Sequence, residues 1–213
     1  MDSQATTTSV EAAPRLGRPR DASRDADILE ATIAVLAEHG FDGMTIDMVA
    51  ARAGAGKATV YRRWPSKADL VIDAVACMKR RDLDPDDLPD TGSLRGDLVA
   101  LIRAPSIEDA ELKTHVMGGI LSLVSRDPEL AHAAFAAILE PRIAVNRALL
   151  ERARDRGETR PDIDVEALAS LTPAMVSFRT LAQRLPVTRE FLIHVLDEVL
   201  LPAAGITPTD PAS

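Results

Sequence analysis

Residues 53–67 read AGAGKATVYRRWPSK, and two readings compete for them. Gly54, Gly56, Lys57 and Thr59 can be taken as a loop that grips the phosphates of a nucleotide. They can equally be the turn and second helix of a motif that reads duplex DNA. A nucleotide-gripping P-loop places a glycine five positions before its Gly-Lys pair and Ser or Thr directly after the lysine, and it follows a β-strand. Here positions 51 and 58 are both Ala, and the preceding MTIDMVAARA has a helical pattern, not an alternating one. The nucleotide reading fails each requirement.

The flanking residues supply the rest of a helix-turn-helix. Ser23 is placed to cap a first helix, with Asp25 and Asp27 favourable to its dipole. Leu29, Thr32, Ile33, Leu36 and Ala37 follow the i, i+3, i+4 spacing of a buried stripe. Gly40 stops that helix, and Phe41 is expected to fold back into the core. Thr45 caps a second helix whose apolar face is Ile46, Val49, Ala50 and Ala53. Gly54 breaks it by taking the left-handed conformation. A third helix runs over about 56–63 and ends at Pro65. Ser66, with Asp69 three residues on, opens a fourth whose core face is Leu70, Val71, Ala74, Val75 and Met78. Helix, short helix, glycine turn, short helix is the plan of a DNA-reading motif.

The charge distribution agrees. The 213-residue chain carries a net charge of −8, which taken alone argues against a nucleic-acid partner. Yet Met48 to Ala68 contains no acid, while Arg52, Lys57, Arg62, Arg63 and Lys67 are all cationic. Arg15, Arg18 and Arg20 form a second basic cluster upstream, and beyond Arg81 the chain turns acidic. A basic head on an acidic body points to a polyanion-binding domain joined to one that does not bind. Apolar residues make up 46% and aromatics 3%, a mixture suited to close-packed helices. No apolar run reaches the roughly 18 residues of a membrane span. No signal peptide is evident, and the single cysteine, Cys77, sits in VIDAVACM as a small buried thiol. A cytoplasmic, nucleoid-associated protein is expected.

Residues 24–70 resemble the DNA-binding domain of the TetR (tetracycline repressor-like) family of transcriptional regulators. The resemblance rests on HGFDGMTIDMVAARAG, on Thr59-Val60-Tyr61, on the aromatic Trp64 and on Lys67-Ala68-Asp69-Leu70. Ala55 and Gly56 stand where the family often has Val and Ser, and Trp64 where Phe is commoner. The resemblance implies an all-α chain with a helix-turn-helix domain over 23–82, its motif at about 45–64. A helical effector-binding and dimerisation domain would follow over 83–205. Lys57, near the start of the third helix, is the candidate for reading a guanine edge. Thr59 and Tyr61 carry hydroxyls suited to phosphate oxygens, and Thr45 is expected among the DNA-binding residues. Arg62 and Arg63 are expected at phosphates or bases, and Lys67 is expected to add its charge at the start of the fourth helix beside the opposite strand. Residues 1–22 read as a disordered basic arm, in which Arg18 and Arg20 either enter a narrow minor groove or act as a general cation.

The second domain says less. DLDPDDLPDTG is a proline-broken linker, and helices are predicted over about 93–104, 107–126, 128–156, 164–185 and 188–201. Asp127 and Thr188 are natural starts, and Gly157 and Pro186 natural stops. Residues 206–213 read as a disordered tail. His115, His132 and His194 are isolated, and no metal-ligand, cofactor or catalytic spacing appears. The resemblance implies a small-molecule pocket, around which Met117, Phe135, Met175 and Phe178 are candidates, with ordinary core packing as the competing reading. It also implies a homodimer through the last two long helices. Phe191, Val195 and Val199 belong to an apolar surface wider than one core-facing stripe. The expectation is a repressor that binds a palindromic DNA operator as a homodimer and is released by a small-molecule effector, with no cofactor and no membrane. An effector-independent regulator and a helical enzyme with an incidental basic patch are the alternatives.

Overall fold

The computed structural model describes residues 22–80, 88–102, 107–125 and 127–207, and among these every regular element is helical. Helix α1 (Ala22–Gly43) is interrupted at Gly40, whose φ of 66° and ψ of 173° lie outside helical space. A side chain there would be strained, so the stop read from sequence is a real break, and Phe41 packs back against the core. Helix α2 (Ile46–Arg52) is capped by Thr45, which accepts a hydrogen bond from the Met48 amide. Its end is a Schellman motif: Gly54, at φ 58°, donates to Ala51, and Ala55 donates to Ala50. Helix α3 (Lys57–Arg63) starts from Gly56 without a side-chain cap. Helix α4 (Lys67–Arg80) opens on a reciprocal capping box, in which Ser66 and Asp69 each accept from the other's amide at 3.1 Å.

The body begins with α5 (Leu94–Ala100) and α6 (Ile107–Val124). Helix α7 is one rod built from Pro128–Ala134, a π-helical turn Phe135–Leu139, and Glu140–Asp155. It ends at Gly157, at φ 74°, as the glycine predicted. Helix α8 runs through Val165–Ser177 into a π turn, Phe178–Ala182, short of the expected residue 185. Helix α9 joins Arg189–Val195, the π turn Leu196–Leu200, and Leu201–Ala203, with Thr188 as the predicted cap.

Two apolar clusters hold these helices. The first unites α1–α4 with Val116, Met117, Ile120 and Leu123 of α6 and Ala134 and Ile138 of α7. The head is therefore not a free module: its core continues into the body. Gly119 lets α6 approach α1 closely, since a Cβ there would lie 2.7 Å from Leu36 Cδ1. Ser122 of α6 donates to Asp42 beside it at 2.9 Å. The second cluster joins α5, the C-terminal half of α7, α8 and α9. Within it, Asp97 is fully buried and accepts from the Thr91 amide and hydroxyl and from Arg152 and Arg156. Cys77 is half-buried, not enclosed as expected, because it sits at the margin of the α4 core face.

Candidate DNA-binding surface

Helix α3 has two faces of different chemistry. Lys57, Ala58, Tyr61 and Arg62 are exposed and lie at i, i+1, i+4 and i+5, one continuous side of a helix. Val60 and Trp64 point the other way and are buried, with the Trp64 indole donating to Asp73 at 2.9 Å. This burial fixes the roll of the helix and so decides which side chains face outward. Thr59 is half-buried between the faces, and Thr45 is exposed at the α2 cap. Thr45 Oγ1 is used there as an acceptor, which leaves its proton available to a phosphate.

Two expected contacts are assigned differently by the geometry. Arg63 shares the Val60 side of α3, and its guanidinium is paired with Asp25 of α1, leaving 14% of the side chain exposed. Lys67 points inward as well: Nζ donates to the carbonyls of Phe41 and Met44 at 2.7 and 3.1 Å and lies 4.4 Å from the Phe41 ring centre. Both cations are engaged within the head. Lys67→Ala should accordingly lower the stability of the protein by about 1–3 kcal/mol by freeing two carbonyls. The salt dependence of DNA binding should change little, and a slope reduced by one phosphate contact would return Lys67 to the interface.

Arg24 is a positioning residue that the sequence did not disclose. Its Nη2 donates to the Gly54 carbonyl at 2.6 Å, so the start of α1 clasps the turn between α2 and α3. The partners are 30 residues apart and no local spacing connects them. Arg18 and Arg20 lie outside the described residues. Lys57 Nζ is forked onto Asp47, 2.9 Å from Oδ1 and 3.0 Å from Oδ2. Hydrogen bonding to Asp47, and then its charge, hold the Lys57 ammonium above its ordinary pKa. It is cationic throughout the neutral range.

A helix-turn-helix with a basic exposed recognition face is thus in place, and comparison with known proteins decides its kin. Residues 28–74 match the family model for bacterial regulatory proteins of the tetR family. Residues 88–199 match the tetracyclin repressor-like C-terminal domain. The chain belongs to the TetR family. An uncharacterized HTH-type transcriptional regulator of Mycobacterium tuberculosis is 37% identical over 192 residues, 87% of this chain and 92% of that one. The DNA-binding transcriptional repressor TetR of Mycobacteroides abscessus is 32% identical over 183 residues, covering 85% of this chain and 94% of its own. Among solved structures, the TetR family transcription regulator SCO0332 superposes with a TM-score of 0.60 at 28% identity, over 87% of this chain and all of that one. This TetR-family chain is a DNA-binding transcriptional regulator, and none of its described helices is long and apolar enough to cross a membrane.

The residues expected around a pocket and at a dimer interface differ in burial. Met117 is buried and Met175 half-buried, but Phe135 and Phe178 face outward, 44% and 55% exposed, so they do not line an interior of this single chain. Val195 is 1% exposed and belongs to the chain's own core, which removes it from a partner-facing surface. Phe191 is half-buried beneath Arg179, whose guanidinium lies 4.4 Å from its ring centre. Val199 is exposed.

Proposed function

We propose that this chain is a repressor that grips a palindromic operator as a homodimer and is released when a small molecule binds the helical body. The exposed Lys57–Ala58–Tyr61–Arg62 face carries the DNA part of this reading. The Mycobacteroides abscessus relative, named a repressor, supports the sign of regulation. Small-molecule control is supported by FadR of Bacillus subtilis, which has the same fold and was solved in complex with stearoyl-CoA. In this chain the apolar contacts of α6 with α1 give an effector a route to the head. A ligand releases DNA only by binding the released arrangement more tightly than the DNA-bound one. Catalysis has no place in this scheme, and the protein acts at the nucleoid in the cytoplasm.

The test is selection from a pool of random duplexes. The selected motif should be palindromic, with half-site centres about 34–36 Å apart, one turn of DNA. Lys57→Ala should relax preference at one base pair per half-site by about 1–3 kcal/mol. Tyr61→Phe should weaken binding to all sequences alike. An unchanged motif from the Lys57→Ala protein removes Lys57 from base reading, and a pool that yields no motif removes the regulator reading itself.

A further inference from the structure

The Lys57–Asp47 pair has no stabilising role that accounts for it. Both side chains are largely exposed, 55% and 65%, and ion pairs in water contribute little to folding. Yet Asp47 stands on the surface that faces a polyanion, at the edge of a stretch, Met48 to Ala68, that is otherwise free of acids. A carboxylate there repels phosphates, so it lowers affinity for every duplex. Its effect on Lys57 is more selective. A free lysine on a four-carbon stem is a mobile point charge that any phosphate attracts. Forked onto both Asp47 oxygens, the ammonium is held at the first position of α3 and its charge is compensated. One of its three protons remains free for a directional bond.

We propose that Asp47 is a specificity-determining residue of the DNA interface: it positions Lys57 for a base edge and suppresses its attraction to phosphates. The inference rests on the DNA-binding reading above and adds a residue to it. Specificity is a difference between affinities, and a group that penalises the wrong partner raises it as surely as one that rewards the right partner. Two effects act in the same direction. Compensated charge weakens non-specific binding, which is almost wholly electrostatic. A lysine already immobilised loses less conformational freedom when it meets its base.

The experiment uses the full chain, the duplex returned by selection, and a scrambled duplex of equal length and composition. Binding is measured by fluorescence anisotropy between about 50 and 200 mM salt. Asp47→Asn should tighten binding to the scrambled duplex about five- to tenfold at the lower salt and steepen its log–log salt slope by about 0.9 per head. The ratio of selected to scrambled affinity should fall about tenfold, a loss comparable to one mispaired base contact. Asp47→Glu, which keeps the charge, should retain the wild-type slope. In a Lys57→Ala background, Asp47→Asn should shift that ratio less than twofold, because the pair it uncouples is already gone. Equal shifts of the ratio in both backgrounds would mean that Asp47 acts independently of Lys57 and would overturn the proposal. So would an unchanged ratio and slope, or a parallel loss of affinity for both duplexes with a lowered melting temperature. Were no duplex selected from the pool, the regulator reading would fall, while the slope on the scrambled duplex would still report on Asp47.

Discussion

Asp97→Ala should destabilise the protein by about 1.5–3 kcal/mol, because it removes a fully buried carboxylate that accepts from Thr91 and from two partly exposed arginines. Asp97 is fully buried at the start of α5, where Arg152 and Arg156 of α7 reach Oδ2 at 2.9 and 3.2 Å and Thr91 reaches Oδ1 through its amide and hydroxyl. This cluster ties the segment entering the body to the end of α7. The Leu94 amide, donating to Glu158 at 2.7 Å, repeats the tie beside it. In a domain of this size the loss corresponds to a melting temperature lowered by about 3–12 °C. A variant melting within 2 °C, roughly the shift of a neutral surface change, would show the cluster to be energetically idle. The pH dependence has a definite sign. Burial by itself raises the carboxyl's pKa, but the Thr91 bonds and the two arginines outweigh it, and the net shift is downward. A carboxylate depressed on folding stabilises above its unfolded value and loses that contribution as pH falls through its folded value. The stability gap between wild type and Asp97→Ala should be wide at neutral pH. It should narrow only below the ordinary aspartate value of 3.8.

The head was legible because its devices are local. Thr45, Gly54, and Ser66 with Asp69 each act within a few residues, and each forms the cap or turn that its spacing implies. The directions of long cations were harder. Lys67 and Arg24 find carbonyls 26 and 30 residues away, and no periodicity contains that information. Arg63 was readable in principle: it is three residues beyond Val60, so it shares the buried side of α3. The last helix misled for a different reason. On a regular α-helix Val195 and Val199 stack, four residues apart. The π turn Leu196–Leu200 replaces that spacing with five. The buried pairs are then Val195 with Leu200 and Leu196 with Leu201, and Val199 is rotated outward. One inserted residue per turn reassigns the whole face, and the sequence carries no cap or glycine to announce it.

Phe178→Glu combined with Val199→Glu should yield folded monomers whose affinity for the selected operator is at least about 100-fold weaker, as expected when two half-sites are no longer gripped together. The corrected face motivates this choice. Phe178 is 55% exposed on α8, Val199 is 39% exposed on α9, and Leu185 in the loop between them is 44% exposed. Covering large apolar side chains contributes about 1.5–3 kcal/mol for each one fully buried. A two-fold axis presents every such residue twice, so one substitution disrupts two places. Glutamates at both positions would bring like charges together across the axis and should abolish pairing while leaving the monomer core untouched. Val195→Glu supplies the contrast. That residue is 1% exposed within its own chain, so the charge would enter the core of the body and the protein should unfold instead of dissociating. Sedimentation at micromolar concentration, with circular dichroism on the same samples, separates the outcomes. A Phe178→Glu, Val199→Glu protein that still sediments as a dimer would move the interface elsewhere. A wild-type monomer that nonetheless binds a palindrome tightly would remove the dimer from the mechanism, because the two recognition helices would then have nothing to hold them one turn of DNA apart.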